Sequence, residues 1–86
     1  MNSIDWHHEA EQGMGQIDRA LAEGDYAHAA RLAKWCARFE DMALQLIPEE
    51  RLRTRLIIIE SRDAFMANMR EYQLKAQAQR EGTTAP

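Results

Sequence analysis

The sequence holds a single cysteine, two prolines and four glycines, and none of its unbroken apolar runs, residues 56–59 among them, exceeds four residues. One cysteine, Cys36, excludes an internal disulfide, and the apolar run is far too short to cross a membrane. The N-terminus lacks the basic stretch followed by apolar residues that marks a secretory signal. These absences favour a cytoplasmic protein without a membrane partner, and 86 residues suffice for one domain.

A strong excess of positive charge is also missing, because the formal net charge is −3. This value disfavours nucleic acid as the main target. Residues 1–47 carry four basic and eight acidic side chains, whereas residues 48–86 carry seven and six. Arg51, Arg55 and Arg62 fall on one helical face and could meet phosphates, but acidic residues are interspersed among them. A solvated charged face is the preferred interpretation.

Motifs for catalysis, metal binding and cofactor binding are missing as well. Residues 7–9, His-His-Glu, point about 100° apart on a helix and converge poorly on one metal ion, so they are expected to be solvated. Cys36 and His28 lie eight residues apart, about 12 Å along one helix, and cannot form a nucleophile–base pair. Residues 13–15, Gly-Met-Gly, lack the third glycine of a dinucleotide fingerprint. The sequence therefore predicts no enzyme, no metal site and no cofactor.

What is present favours helices, since Ala, Leu, Glu, Gln, Arg and Met dominate the composition. Gly24 and Asp25 suit the end of one helix and the N-cap of the next. Pro48 suits the first turn of a third helix. The predicted fold is all-α, an antiparallel three-helix bundle with a long C-terminal helix. The predicted ranges are helices at about 4–23, 26–46 and 48–79, a single domain at 1–81, and a flexible tail at 82–86.

Each predicted helix has an apolar stripe at helical spacing, which indicates the side that faces the core. Cys36 lies on the second stripe and is expected to be a buried structural thiol. Trp35 and Met42 widen this stripe on one side. The three stripes comprise Ala10, Met14, Ile17 and Leu21; then Ala29, Leu32, Cys36, Phe39, Ala43 and Leu46; then Leu52, Leu56 and Ile59.

The predicted lengths suggest where a partner binds. Two-residue connections make successive helices antiparallel, so a third helix about a dozen residues longer should project beyond the first two. The projecting part would expose a contiguous apolar stripe, which monomers rarely tolerate without a function. Its occupant would be a protein partner or a second copy in a homodimer. The predicted partner-binding residues are Phe65, Met66, Met69, Tyr72 and, on the second helix, Trp35.

Residues 21–32 resemble the middle of a tetratricopeptide repeat, with Gly24, Tyr26 and Ala29 at its small and aromatic positions. The second helix is about two turns too long for that repeat, and no second repeat follows. A lone unit could not bury its core as an array does.

Residues 14–75 resemble, in layout and at a few positions, the FliT-type flagellar export chaperones. Those short helical proteins have a helix that ends in a Gly-Asp-aromatic turn, as at residues 24–26 here. A long helix follows, here with Leu32, Trp35 and Phe39, and then a turn, here at residues 47–48. An Arg/Leu-rich third helix closes the pattern, here over residues 52–74.

The resemblance implies a cytoplasmic chaperone that holds a flagellar secretion substrate, such as the filament-cap protein, and delivers it to the export machinery. Some members also restrain a transcriptional regulator and cover their binding surface with an additional C-terminal helix. The short polar segment at 82–86 offers no such helix. Two alternatives stay open: a phage or mobile-element inhibitor that blocks a host complex, and a nucleic-acid-associated helical protein acting through the arginines of the third helix.

Overall fold

The computed structural model describes residues 1–82, which form three α-helices. These residues contain no strand, so the all-helical prediction is confirmed. None of the helices within them combines the length and the apolar character that a membrane crossing requires. Of the predicted tail, residues 83–86 lie outside the described part of the chain. The helices are α1 (Ser3–Ala22), α2 (Tyr26–Gln45) and α3 (Leu52–Arg80).

Short polar side chains fix the beginnings of α1 and α2. The Asn2 side chain accepts a hydrogen bond from the Asp5 backbone N–H at 2.9 Å, and the Asp5 carboxylate accepts one from the Asn2 N–H at 3.3 Å. This reciprocal pair satisfies donors that a helix start otherwise leaves open. Gly24, with φ of 72°, follows the end of α1 in the left-handed region. The Asp25 side chain then accepts from the His28 N–H at 3.1 Å and starts α2.

The third helix begins at Leu52, four residues later than the sequence predicts. Residues 48–50 form a turn, and the Arg51 N–H donates to the Pro48 carbonyl at 3.0 Å. The side chain of Ile47 is buried just before this turn, so the backbone is anchored there and must change direction before a new helix can start. Proline disfavours a helical residue before it whether a helix or a turn follows, which is why the sequence pattern misplaced the boundary.

A side chain of α3 joins the end of α2. The Arg55 Nη1 donates to the carbonyl of Leu44 at 3.0 Å and to the carbonyl of Ile47 at 2.9 Å. Carbonyls at a helix C-terminus lack partners within the helix, and a cation near them is favourable. Arg51, the N-cap residue of α3, makes no side-chain capping bond, whereas the Arg55 side chain ties the start of α3 to the end of α2.

The helix α2 is central, because α1 and α3 each pack along it and have little contact with each other. The bundle is elongated, with principal extents of 53 × 18 × 14 Å. Gly13 allows α1 to approach α2 closely, since a Cβ at this position would overlap the Cys36 sulfur. Cys36 itself is buried, as predicted.

Buried side chains form two clusters at different levels of the bundle. The larger cluster draws on all three helices, and the smaller cluster lies where α2 ends and α3 begins, with Trp6 of α1 packed against it. Alanine dominates the larger cluster, which explains how the helices come close. The larger cluster contains Ala10, Ile17, Ala20, Ala29, Ala30, Ala33, Cys36, Ala37, Phe65 and Tyr72; the smaller contains Ala43, Leu44, Ile47 and Ile58.

The expectation that the second half of the third helix projects beyond the other helices is wrong. The Gln79 side-chain amide donates to the Gly24 carbonyl at 3.0 Å, so the last turns of α3 lie beside the turn between α1 and α2. Lys75 lies over the Tyr26 ring, 5.4 Å from its centre. α3 starts at Leu52, later than expected, and the turns at both ends of α2 lengthen the stretch of chain beside which α3 runs. The third helix therefore does not extend a dozen residues beyond the other two.

Candidate protein-binding surface

The five side chains predicted to bind a partner do not lie together. Phe65 and Tyr72 are 7% and 8% exposed and belong to the larger core cluster, while Met66 and Met69 are half-buried against it. Burial is also the main cause that raises the pKa of the Tyr72 hydroxyl. Trp35, in contrast, is 54% exposed. The α3 stripe is thus core within the monomer, and Trp35 is the member of the set that faces solvent.

Trp35 lies beside an apolar groove between α1 and α2, which we call the Trp35 groove. Phe39 is at its centre, with its ring 5.8 Å from the stacked Trp6 ring and 6.3 Å from the tilted Trp35 ring. Phe39 and Trp6 are half-buried, so both rings are held by the bundle and still reach the surface. The groove has a volume of about 320 Å³ and is lined by Trp6, Trp35, Arg38, Phe39, Asp41 and Met42.

The two charged side chains at the rim of the groove have different environments. The Asp41 carboxylate accepts a hydrogen bond from Arg62 Nη1 at 3.1 Å, and this bond is the main cause that raises the pKa of Arg62. The Arg38 guanidinium lies over the Trp35 ring, 5.3 Å from its centre. Such a cation–π contact holds the indole from one side and leaves the positive charge available. The rim therefore offers a cation and an aromatic face together.

A second exposed apolar region covers the first turns of α3. The sequence predicted Leu52 and Leu56 as core, but they are 68% and 57% exposed, and Ile57 is exposed as well. The reason is the orientation of α3: Arg55 and Ile58 face α2, and a helix that turns these side chains inward must turn Leu52 and Leu56 outward.

The arginines considered for phosphate binding are largely occupied. Arg55 holds the backbone at the end of α2, and Arg62 bonds to Asp41 and to Asp63, the latter at 3.2 Å. Arg51 is exposed at the N-cap of α3. Two of the three guanidinium groups are therefore already held by oxygen atoms of the protein.

Sequence reasoning missed a polar pair beside the core. Glu40 is fully buried in α2, and His7 Nδ1 lies 2.9 Å from each of its carboxylate oxygens. His7 was expected to be solvated. The nearby His8 does match that expectation, with 65% of its side chain exposed. Nothing in the local sequence pairs residues 33 positions apart, so this contact required the packing of α1 on α2.

Trp6 was also missed, although the sequence holds a signal for it. The buried residues of α1 are Ala10, Gly13, Ile17 and Ala20, and Trp6 precedes Ala10 by one helical turn on the same side. The stripe chosen from the sequence contained Met14 instead, which is 52% exposed. The sequence pattern favours the larger Met14 over Gly13, whereas the buried residues of α1 are mostly small.

This chain matches no family model, no curated protein and no solved structure at a significant level.

Proposed function

We propose that this chain is a helical protein-binding adaptor that captures a segment of its partner in the Trp35 groove. The observation that supports it is the exposure of Trp35 beside Trp6, Phe39 and Met42 in one apolar depression. Aromatic side chains that are fixed before binding make strong interface anchors. Methionine adapts to irregular surfaces, which suits a site that receives an apolar side chain.

We further propose that the adaptor is an export chaperone, and that its partner is a secretion substrate such as the flagellar filament-cap protein. The resemblance of residues 14–75 to FliT-type chaperones supports this assignment, as does the all-helical fold. Such a role places the protein in the cytoplasm. An antiparallel course of the helices belongs to the same proposal, and the Gln79–Gly24 and Arg55–Ile47 hydrogen bonds support it.

Self-association is also part of the proposal, but through a different surface from the one that the sequence predicts. The exposed side chains Leu52, Leu56 and Ile57 offer a homodimer an apolar contact, whereas Phe65 and Tyr72 are already covered. A phage or mobile-element inhibitor would use the Trp35 groove in the same physical way. It differs from a chaperone only in its partner, which would be a host complex.

Titration with the filament-cap protein of the native host tests this function. Trp6 and Trp35 are the two tryptophans of the chain and both line the groove, so intrinsic fluorescence reports on it directly. We expect saturable binding, and we expect Trp35→Ala to weaken it by about 2 kcal/mol, roughly thirtyfold. Calorimetry provides the affinity of the variant, which retains one reporter ring.

Met14→Ala is the matched control, because Met14 is 52% exposed on α1, outside the groove lining. It should bind like the wild type. Equal affinity of Trp35→Ala and Met14→Ala would show that the groove is not the binding surface. No binding of the filament-cap protein at all would remove the flagellar assignment.

A further inference from the structure

A second groove, between α2 and α3, is lined by positive charge. Four basic side chains reach it, and no acidic side chain lines it. Within residues 1–82 none of the four forms an ion pair with a carboxylate. Glu81, close in sequence, is instead held by Gln77 at 2.9 Å. This basic groove has a volume of about 660 Å³, and its four cations are Arg31, Lys34, Arg70 and Arg80.

Four basic side chains around one depression, with no carboxylate among the residues that line it, give this groove a positive potential. The chain as a whole is acidic, with a net charge of −3, yet no acidic side chain lines this groove. A groove with one sign of charge and a low-dielectric wall concentrates anions. Three alanines, Ala27, Ala30 and Ala76, line the groove, and their small side chains let a long ligand approach the helices closely.

The basic groove and the Trp35 groove are joined along α2. Arg31, Trp35, Arg38 and Met42 follow one another at +4, +3 and +4, which places them in one row on the exposed side of the helix. Arg31 and Arg38 also share a small depression with Trp35. A ligand that lies along α2 therefore meets cations first and aromatic rings afterwards. From Ala27 to Met42 this row is about 22 Å long.

We propose that the partner segment is a helix of about 15 residues that is acidic at one end and presents an apolar face at the other. This inference rests on the proposed function and specifies its ligand. The apolar end fills the Trp35 groove, and the acidic end pairs with Arg31, Lys34, Arg70 and Arg80. Charge complementarity identifies the acidic end.

Nucleic acid fits this surface less well. The net charge of −3 opposes the approach of a long polyanion. Bases stack on aromatic rings, but none of the residues that line the basic groove is aromatic. A short acidic helix presents only a few charges and places apolar side chains where the rings are.

Synthetic probes test the proposal directly. One peptide of 16 residues carries four glutamates in one half and Leu and Phe at helical spacing in the other; a second has every Glu replaced by Gln; a third probe is a 16-nucleotide oligothymidylate. We expect the acidic peptide to bind at least tenfold more tightly than its Gln counterpart at low salt, and this difference to shrink as salt rises. Equal affinity of the two peptides would overturn the proposal.

The variant Arg31→Glu/Arg70→Glu reverses charge at two exposed positions of the basic groove. It should lose at least tenfold in affinity for the acidic peptide and gain none for the Gln peptide. Arg53→Glu is the control, because Arg53 is exposed at the start of α3, outside the groove. It should bind like the wild type. Far-UV circular dichroism verifies that each variant keeps its helices.

The outcomes separate this proposal from the proposed function. If Trp35→Ala abolishes binding and the charge reversal has no effect, the adaptor function stands and the acidic ligand is wrong. If the charge reversal abolishes peptide binding and Trp35→Ala has no effect, the Trp35 groove is not the binding surface. If the oligothymidylate binds more tightly than the acidic peptide and the charge reversal removes that binding, the ligand is nucleic acid.

Discussion

The two halves of α3 carry apolar side chains at similar helical spacing, yet they have opposite environments. Leu52 and Leu56, in the first turns, are exposed. Phe65, at the middle of the helix, and Tyr72, seven residues later, are buried. Around the second half, α1 contributes three buried residues to the same cluster, whereas around the first half it contributes only Trp6, at the edge.

The comparison shows that periodicity identifies a stripe but does not say what covers it. Coverage depends on where the neighbouring helices begin and end, and those positions are tertiary properties. Pairs of identical or similar residues in opposite environments are therefore the sharpest tests of this structure.

The largest effect is expected from Phe65→Ala set against Leu56→Ala. Truncation of the buried ring leaves a cavity in the core and should lower the free energy of unfolding by about 3–5 kcal/mol. Leu56→Ala removes an exposed side chain and should change it by less than about 0.5 kcal/mol. Chemical unfolding followed by circular dichroism measures both.

Equal losses in these two variants would contradict the comparison. In that case Leu56 must be covered by a second copy of the chain. A dependence of the unfolding midpoint on protein concentration, lost in Leu56→Ala, would demonstrate such a dimer.

His7 and His8 form the second pair. His7→Ala leaves the fully buried Glu40 carboxyl without its side-chain partner, and a buried polar group that loses its hydrogen-bond partner costs about 1–3 kcal/mol. The exposed His8 side chain lies 3.7 Å from the exposed Glu11 carboxylate, so His8→Ala should change stability by less than about 0.5 kcal/mol. Thermal and urea unfolding measure the stability of both variants. If His7→Ala is as stable as His8→Ala, water replaces the imidazole as the partner of Glu40.

Gly13 and Gly15 should respond with opposite signs to substitution by alanine. Alanine favours a helix by up to about 1 kcal/mol over glycine, and a Cβ at Gly15 meets no other atom, so Gly15→Ala should stabilise by about that amount. A Cβ at Gly13 overlaps the Cys36 sulfur, and overpacking of this kind costs about 1–3 kcal/mol. Adding Cys36→Ala to Gly13→Ala should recover part of the loss. If Gly13→Ala alone stabilises, α1 and α2 are farther apart than described.

The smallest effect concerns Cys36, whose ionisation should not change stability at neutral pH. What should differ between the folded and the denatured chain is the rate at which the thiol reacts. Burial, and then the nearby Glu40, raises the pKa of the Cys36 thiol from 9.0 to about 11. A thiol reagent should therefore react far more slowly with the folded chain than with the denatured chain. Rapid labelling without denaturant would place Cys36 at the surface.

The same pKa sets a stability change in alkali. The unfolded thiol loses its proton near pH 9, and the folded thiol keeps it until about pH 11. The stabilising contribution of Cys36 is thus complete below pH 9 and is lost as the pH rises to about 11. Cys36→Ala should be less sensitive to pH in this interval.

Local signals were sufficient for much of the fold. Gly24 and Asp25 mark the boundary between α1 and α2 to within a residue, because left-handed glycine and an Asp N-cap are properties of the chain itself. The start of α3 was misplaced because Pro48 suits a turn as well as a helix. The buried face of α1 was misplaced by one position because large side chains were weighted above Gly13.

The candidate site could be anticipated only in part. Trp35 was selected from the sequence, but its neighbours in the groove come from α1 and α2 together. Trp6 and Phe39 are 33 residues apart, and only the packing of the two helices stacks their rings. The basic groove likewise joins residues of α2 to residues of α3, and their common charge is invisible in a chain whose net charge is negative.

Arg55 has a consequence for the motions of the molecule. One guanidinium, from the first turns of α3, holds two backbone carbonyls at the end of α2. Neither helix end can fray without releasing that guanidinium, so amide hydrogens near Ile47 and near Arg55 should exchange with solvent in a single cooperative opening. Arg55→Met, which keeps most of the side-chain length and loses the N–H donors, should split this opening into two independent ones. The connection between the helices would then be the least protected part of an otherwise slowly exchanging bundle.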